Sequence, residues 1–142
     1  YGVTVDEFQH EVYENPELTP EERRMKWLEI ERKYLPSRYY EEIPELDEGL
    51  FFYRQGHLFS VPFYYIDYTL AQVCAFQFWK KANENREKAW KEYLHLCKLG
   101  GTKPFLELVK EANLENPFED GTISNIVPEL RKYIDSVDAT KF

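Results

Sequence analysis

The stretch from Arg54 to Ala71 reads R-Q-G-H-L-F-S-V-P-F-Y-Y-I-D-Y-T-L-A, and it carries most of the information in the chain. It places one histidine, His57, directly after Gly56. Three tyrosines follow at the start of an apolar run: Tyr64, Tyr65 and Tyr68. Phenol hydroxyls and an imidazole can together hold a negatively charged oxygen, as an acyl-transfer site requires. No other stretch of the sequence has a comparable chemical pattern.

Composition limits the partners that the chain is expected to have. Its 142 residues are enough for one domain with a core, or for one piece of a larger domain. Charged residues make up 31%, and the formal net charge is -8. Nucleic acids and anionic membranes both require a basic face, and no segment reaches the roughly 18 consecutive apolar residues of a membrane span. We therefore expect neither nucleic acid nor a membrane as a partner.

The termini, cysteines and aromatic residues give further expectations. The chain begins at Tyr1 without a targeting segment, so its start is expected to be internal or processed. Cys74 and Cys97 lie far apart in apparent helices and are predicted to be buried reduced thiols, which fits a cytoplasmic protein. Aromatic residues reach 17%, including 11 tyrosines. So many hydroxyls favour a large protein with a polar internal cavity.

The first part of the chain predicts two helices. The first runs from Val5 to Asn15, before Pro16. The second begins at Thr19-Pro20-Glu21-Glu22, a capping box with proline at the first position, and continues to about Leu35. Residues 36–61 are predicted to be an irregular connection with a short strand or turn at Leu50 to Tyr53.

The remainder also reads as helical. Pro62 is expected to open a helix over about 62–82 that is apolar almost all round, and therefore buried at the centre of something larger. Further helices are predicted over about 86–98 and over 103–112, the latter capped by Thr102. A last helix over 122–137 is either kinked or split by Pro128. The predicted fold class is all-α.

The sequence does not contain a complete metal motif. The zinc peptidase signature H-E-x-x-H starts correctly at His10-Glu11, but Glu14 stands where the second histidine belongs. The chain has only three histidines, and no two of them are four residues apart. We therefore expect no metal to be bound by these residues. His10 is predicted to lie at the surface or to pack against a helix, and His95 to pack.

Nucleophilic catalysis has no support either. Neither cysteine has a nearby histidine and glycine-rich turn, no G-x-S-x-G elbow occurs, and the glycines form no phosphate loop. The acidic pairs Glu21-Glu22 and Glu41-Glu42 are predicted to be solvated surface.

The tyrosine cluster has both a structural and a functional interpretation. Tyr65 and Tyr68 are three residues apart and Tyr64 and Tyr68 four apart, so they share one helix face, which packing alone would also explain. Asp67 weakens the packing interpretation, because a carboxylate in so apolar a helix needs a partner or a wet cavity. Gly56 is expected to let the backbone turn sharply before His57, which we place in a loop.

These residues carry a family resemblance. The runs Gly56-His57-Leu58-Phe59 and Pro62 to Val73 resemble the C-terminal part of oligoendopeptidase F enzymes, which belong to the M3 (thimet oligopeptidase-like) zinc metallopeptidases. Other segments resemble the same family in the same order: Val5 to His10, Tyr93 to Gly101, and Pro117 to Gly121. The resemblance therefore covers nearly the whole chain, and the tyrosine run is its most specific part.

The resemblance implies a large helical fold in which two halves enclose a channel that admits short peptides. Zinc is bound there by H-E-x-x-H and a downstream glutamate, which lie N-terminal to the part that this chain resembles. We therefore expect residues 1–142 to be a C-terminal segment of the catalytic domain without its zinc motif. The remainder of that domain and short peptides are the expected partners.

The resemblance also implies roles for individual residues. A histidine in a glycine-containing loop and tyrosines on the next helix face the zinc in relatives, bind substrate and stabilise the oxyanion. The histidine matches His57, and the tyrosines match Tyr65 and Tyr68, with Tyr64 as a neighbouring substrate-binding residue. Two alternatives remain open at this stage: a non-catalytic helical module that binds peptides or proteins, and an autonomous helical domain with tyrosine-rich packing.

Overall fold

The computed structural model describes residues 1–40 and 43–141. Every regular element within these ranges is helical, so the predicted all-α class is confirmed. The α-helices are α1 (Gly2–Glu14), α2 (Pro20–Tyr34), α3 (Pro44–Asp47), α4 (Gly56–Ser60), α5 (Ile66–Glu84), α6 (Arg86–Leu99), α7 (Phe105–Glu111) and α8 (Thr122–Ser136). Two 3₁₀ helices span Leu50–Arg54 and Ala139–Lys141. In the described part of the chain, no helix is both long and apolar enough to cross a membrane.

The chain divides into two compact units, Tyr1–Thr69 and Leu70–Phe142. In the first unit, α1 packs against α2 around the fully buried Trp27. The other core residues come from α1, α2, the first 3₁₀ helix and α4: Val5, Phe8, Ile30, Phe51, Phe52 and Leu58. The predicted capping box starts α2, because the Thr19 hydroxyl accepts from the Glu22 amide and the Glu22 carboxylate accepts from the Thr19 amide.

The connection after α2 is more regular than the sequence predicts. Its described residues hold α3, the 3₁₀ helix Leu50–Arg54 and α4, so the element at Leu50 is a helical turn and not a strand, and His57 lies in a helix and not in a loop. The aromatic side chains Phe51 and Phe52 are buried in the core, and this tertiary packing stabilises a helical turn in place of the extended form that aromatic residues favour. Glu41 and Glu42, predicted to be solvated surface, lie outside the described residues, whereas Glu21 and Glu22 are exposed as predicted.

Gly49 is the glycine that this connection requires. It precedes the 3₁₀ helix with φ +82°, in the left-handed region. A Cβ added there would lie 2.4 Å from the carbonyl oxygen of Arg24, so a larger residue would push the segment away from α2. Gly56, by contrast, has ordinary helical geometry, and a Cβ there would meet nothing within 4 Å. The expected sharp turn at Gly56 was wrong.

The second unit is held by a buried amide. The Gln77 side chain accepts from the Glu115 amide at 2.7 Å and donates to the Glu115 carbonyl at 3.0 Å, which fixes the segment after α7 on α5. Gln77 is also the only residue of α5 that is buried, so the predicted full burial of this helix is not found in the described chain. An all-round apolar helix needs neighbours on every side, and the described residues cover only part of its surface.

Several local predictions for this unit need correction. Thr102 does not cap α7, because its hydroxyl donates to the Leu99 carbonyl and Pro104 takes the N-cap position. Both cysteines are free, but neither is fully buried as predicted: Cys74 is half-buried and Cys97 is exposed on α6. His95 is exposed as well, and its Nε2 lies 3.0 Å from a Glu111 carboxylate oxygen, so it does not pack. Pro128 lies inside a continuous α8 and does not split it.

The Glu111 carboxylate links α6 to α7 and should make this contact sensitive to acid. Hydrogen bonds from Lys103 and His95 lower the pKa of Glu111 from 4.5 to about 2. A lowered carboxyl pKa stabilises the folded state fully above pH 4.5, and this stabilisation is lost as the pH falls towards 2. The difference in thermal midpoint between the wild type and Glu111→Gln should therefore be constant near neutrality and shrink over this window. Glu129→Gln on α8 is the control, and an equal, pH-independent shift in both variants would contradict the expectation.

Candidate active site

His57 and the tyrosines come together within the first unit. His57 is the second residue of α4, and its ring stacks on Tyr65 with centroids 4.7 Å apart and planes 22° apart. The Nε2 atom is buried and finds no hydrogen-bond partner among the described residues. A buried polar atom without a partner costs about 1–3 kcal/mol, so such atoms mark places where a ligand, water or another part of a protein is expected. The ring is therefore held by stacking, while its hydrogen-bonding capacity is unused.

The tyrosines stand where the chain enters α5. Tyr64 and Tyr65 precede the helix and Tyr68 lies in its first turn, so the helix begins four residues later than Pro62 suggested. Tyr65 and Tyr68 have ring centroids 5.1 Å apart, and Tyr64 lies perpendicular to Tyr68 at 5.5 Å. The hydroxyls of Tyr64 and Tyr68 are hydrogen-bonded to each other, which raises the pKa of Tyr64. One of the two hydroxyl protons forms the hydrogen bond between Tyr64 and Tyr68, and the other remains available to a ligand.

Helix α1 sets the path of the chain just before the tyrosines. Gln9 is buried, and its side-chain oxygen accepts from the Phe63 amide at 3.2 Å. Phe63 has φ +57°, a left-handed conformation that costs a non-glycine residue about 1–2 kcal/mol. The Phe63 ring packs on His10 and Tyr13 of α1, with centroids 4.8 and 5.2 Å away. His10 thus packs against an aromatic ring, as expected. The strained turn at Phe63 sets the direction of the chain at Tyr64 and Tyr65.

The sequence alone does not single out Tyr1 and Gly2, yet both contact this cluster. The Tyr1 ring stands perpendicular to Tyr65, with centroids 5.3 Å apart. A Cβ at Gly2 would lie 2.1 Å from the Thr69 hydroxyl, so glycine allows α1 to approach the first turn of α5. Tyr1 lies outside the segments that carry the family resemblance, and only the packing of α1 shows that Tyr1 and Gln9 lie at the site.

Potential metal ligands are distributed over the whole described part of the chain. The described residues contain no group of three or more His, Cys, Asp or Glu side chains that could hold a metal ion. The donors at the cluster are an imidazole and phenols, so these residues do not fit a zinc site by themselves. Asp67 is exposed, and therefore its carboxylate needs no buried partner.

An apolar groove of about 630 Å³ lies in the second unit. Aromatic side chains provide most of its wall: Phe78, Trp79, Trp90 and Tyr93. Its polar neighbours are Arg86 and Glu87 at the ends of this wall, and its area is almost entirely apolar.

Known structures share both the fold and the sequence of this chain. A structure described as an oligoendopeptidase F is 57% identical, with a TM-score of 0.91 over 100% of this chain and 25% of that chain. PZ peptidase A with inhibitor 2 is 56% identical, with a TM-score of 0.89 over 97% of this chain and 25% of that chain. A structure described as an oligoendopeptidase F from Bacillus anthracis str. Ames is 48% identical, with a TM-score of 0.75 over 100% of this chain and 22% of that chain. No curated protein matches the sequence.

The helical fold and these likenesses relate the chain to a class of helical peptidases with solved structures. The family model of Peptidase family M3 matches residues 2–127, and the chain belongs to that family. The predicted relation to oligoendopeptidase F is confirmed. The chain spans about a quarter of the length of the first two solved relatives.

Proposed function

We propose that residues 1–142 form a segment of the catalytic domain of a zinc oligoendopeptidase that hydrolyses short peptides. In this proposal the segment supplies the substrate-binding and oxyanion-stabilising side of the channel through His57, Tyr64, Tyr65 and Tyr68. The zinc motif belongs to a different part of the enzyme. The assignment to a peptidase rests on the family membership of the chain. The roles proposed for the individual residues rest on the cluster described above.

One observation carries the proposal. In a chain of a peptidase family, an imidazole nitrogen without a partner in the described residues stacks against the tyrosines Tyr65 and Tyr68. A cluster built only for packing would gain from phenylalanine in place of His57, since phenylalanine would fill the same space without a buried polar atom that lacks a partner. An unpaired donor beside two more phenols is what a site for a developing negative charge requires.

The chemistry assigned to these residues is donation. Attack of water on a peptide carbonyl places negative charge on the carbonyl oxygen, and Tyr65, Tyr68 and His57 would donate hydrogen bonds to that oxygen or to the adjacent peptide. Loss of one preorganised donor of this kind typically lowers turnover about 100- to 1000-fold. Tyr64 would act through its bond to the Tyr68 hydroxyl, which leaves Tyr68 polarised towards the substrate.

The remainder of the catalytic domain is the partner that the exposed apolar surface suggests. Trp90 is 58% exposed and Tyr93 is 44% exposed, and both line the apolar groove of the second unit. Exposed aromatic patches of this kind mark interaction surfaces. The free thiols Cys74 and Cys97 support a reducing, cytoplasmic location in this proposal.

A comparison of two proteins tests the proposal. The full-length protein, loaded with zinc, should cleave a quenched short peptide and lose this activity on chelation. The isolated 142-residue chain with added zinc should cleave nothing, because its donors act only beside a metal centre that it does not hold. Cleavage by the isolated chain would contradict the proposal. Peptide binding without cleavage by the full-length protein would favour the helical binding module instead.

A further inference from the structure

Tyr65 is enclosed by three rings from three parts of the chain. His57 of α4 stacks on it, Tyr68 of α5 leans against it at 51°, and Tyr1 meets it at 88°. His57 and Tyr68 are both within eight residues of Tyr65, whereas Tyr1 lies at the start of α1. Tyr1 is therefore the distant part of this enclosure.

The Tyr1 ring is itself supported by a second aromatic ring. Its ring meets Phe51 at 83° with centroids 6.3 Å apart. The Arg38 guanidinium lies 4.0 Å from the centre of Phe51 and pairs at 3.4 Å with Glu31, which is only 3% exposed. A buried carboxylate with a charged partner is a rigid support, because moving either group would leave a charge unpaired. The pair supports Tyr65 indirectly, because Arg38 contacts Phe51, Phe51 contacts Tyr1, and Tyr1 contacts Tyr65.

The backbone at the start of α1 adds a second constraint. The close approach of Gly2 to Thr69 places the residue before it directly beside the first turn of α5. The Tyr1 hydroxyl is buried and has no partner in the described part of the chain, and burial raises the pKa of Tyr1 to about 12. The hydroxyl therefore stays protonated and makes no hydrogen bond within the described part of the chain. This leaves ring packing as the contribution of Tyr1 to the cluster.

We propose that Tyr1 is a positioning residue whose ring holds the phenol of Tyr65 in the direction that the reaction requires. The inference rests on the proposed function, since it assumes that Tyr65 donates to the reacting oxygen. A hydrogen-bond donor must be held within about 0.5 Å of its productive position, and misplacement by about 1 Å can cost about 100-fold in rate. A perpendicular ring at 5.3 Å blocks the rotation that would misplace it.

The first test separates the ring from the hydroxyl in the full-length enzyme. Tyr1→Leu removes the ring and should lower kcat about 10- to 100-fold with little change in KM, because the orientation of the Tyr65 phenol matters only in the transition state. Tyr1→Phe keeps the ring and should retain kcat within about threefold, since the hydroxyl makes no bond that could be lost. Equal losses in both variants, or no loss in Tyr1→Leu, would overturn the inference. Tyr1→Met replaces Tyr1→Leu if the latter does not fold.

The second test asks whether Tyr1 acts through Tyr65. Tyr65→Phe removes the phenol hydroxyl, so adding Tyr1→Leu to it should cost no more than about a further twofold in kcat. Multiplying losses would show that Tyr1 acts elsewhere and would contradict the inference. Phe8→Leu, in the core but outside the cluster, is the structural control: it should lower the thermal midpoint and leave kcat unchanged.

The same variants keep the two proposals apart. Full activity in Tyr65→Phe would contradict the function proposed for Tyr65, and the positioning role of Tyr1 would be rejected with it. A large loss in Tyr65→Phe together with full activity in Tyr1→Leu would leave the proposed function intact and reject the positioning role alone.

Discussion

Replacement of His57 by alanine is expected to lower kcat/KM for peptide cleavage by about 100- to 1000-fold in the full-length enzyme. The Nε2 atom of the imidazole is buried and lacks a partner in the described chain, so its loss removes a donor without breaking an internal hydrogen bond. Zinc content should stay the same, because the zinc motif is proposed to lie in a different part of the enzyme and His57 to act on the substrate. Steady-state kinetics and metal analysis of the purified variant check both expectations.

His95→Ala is the matched control for this measurement. It removes the same side chain from α6, where the imidazole is 50% exposed and paired with Glu111, and it should leave kcat/KM unchanged. Equal effects of the two alanine variants would assign the loss to general destabilisation. Full activity in His57→Ala would reject the role proposed for His57.

Replacement of Glu31 by alanine should strongly destabilise the first unit. The Glu31 carboxylate accepts from the Tyr40 hydroxyl at 2.6 Å and pairs with Arg38, and removing it leaves both donors unsatisfied. We expect a loss of about 3 kcal/mol, at the lower end for breaking a buried pair because the Arg38 side chain remains 30% exposed. Hydrogen exchange of the α1 and α2 amides in the full-length protein measures the local opening free energy.

Two variants of the same helix sharpen this prediction. Glu29→Ala removes a carboxylate that is 71% exposed and paired only with Lys26 among the described residues, so it should change the opening free energy by less than about 0.5 kcal/mol. Glu31→Gln keeps an acceptor for Tyr40 and should fall between the two alanine variants. A loss in Glu29→Ala as large as in Glu31→Ala would show that burial is not the cause.

Local signals in the sequence predict much of the fold. The capping box at Thr19 is a short-range signal, and α2 starts there as predicted. The segment at Leu50 to Arg54 could not be predicted in this way, because burial of Phe51 and Phe52 decides its conformation. The start of α5 at Ile66 follows from the strained turn at Phe63, which Gln9 of a distant helix supports.

The candidate site shows the same division. His57 and Tyr65 stand eight residues apart, and their resemblance to a family made them visible in the sequence. Tyr1 is an ordinary aromatic residue in the sequence, and it becomes a site residue only through its contact with Tyr65. The residues proposed as donors could therefore be named in advance, whereas the residues that pack against them required the three-dimensional structure.

The close contact of Gly2 with Thr69 has a consequence for the order in which the site assembles during folding. His57 and Tyr65 are neighbours along the chain, so their stacking requires only a short loop to close. The contact of α1 with the first turn of α5 requires closure of a loop of more than sixty residues, which costs more entropy and forms more slowly. We expect the imidazole and the phenol to meet early and to gain their fixed alignment only in the last steps, when α1 docks.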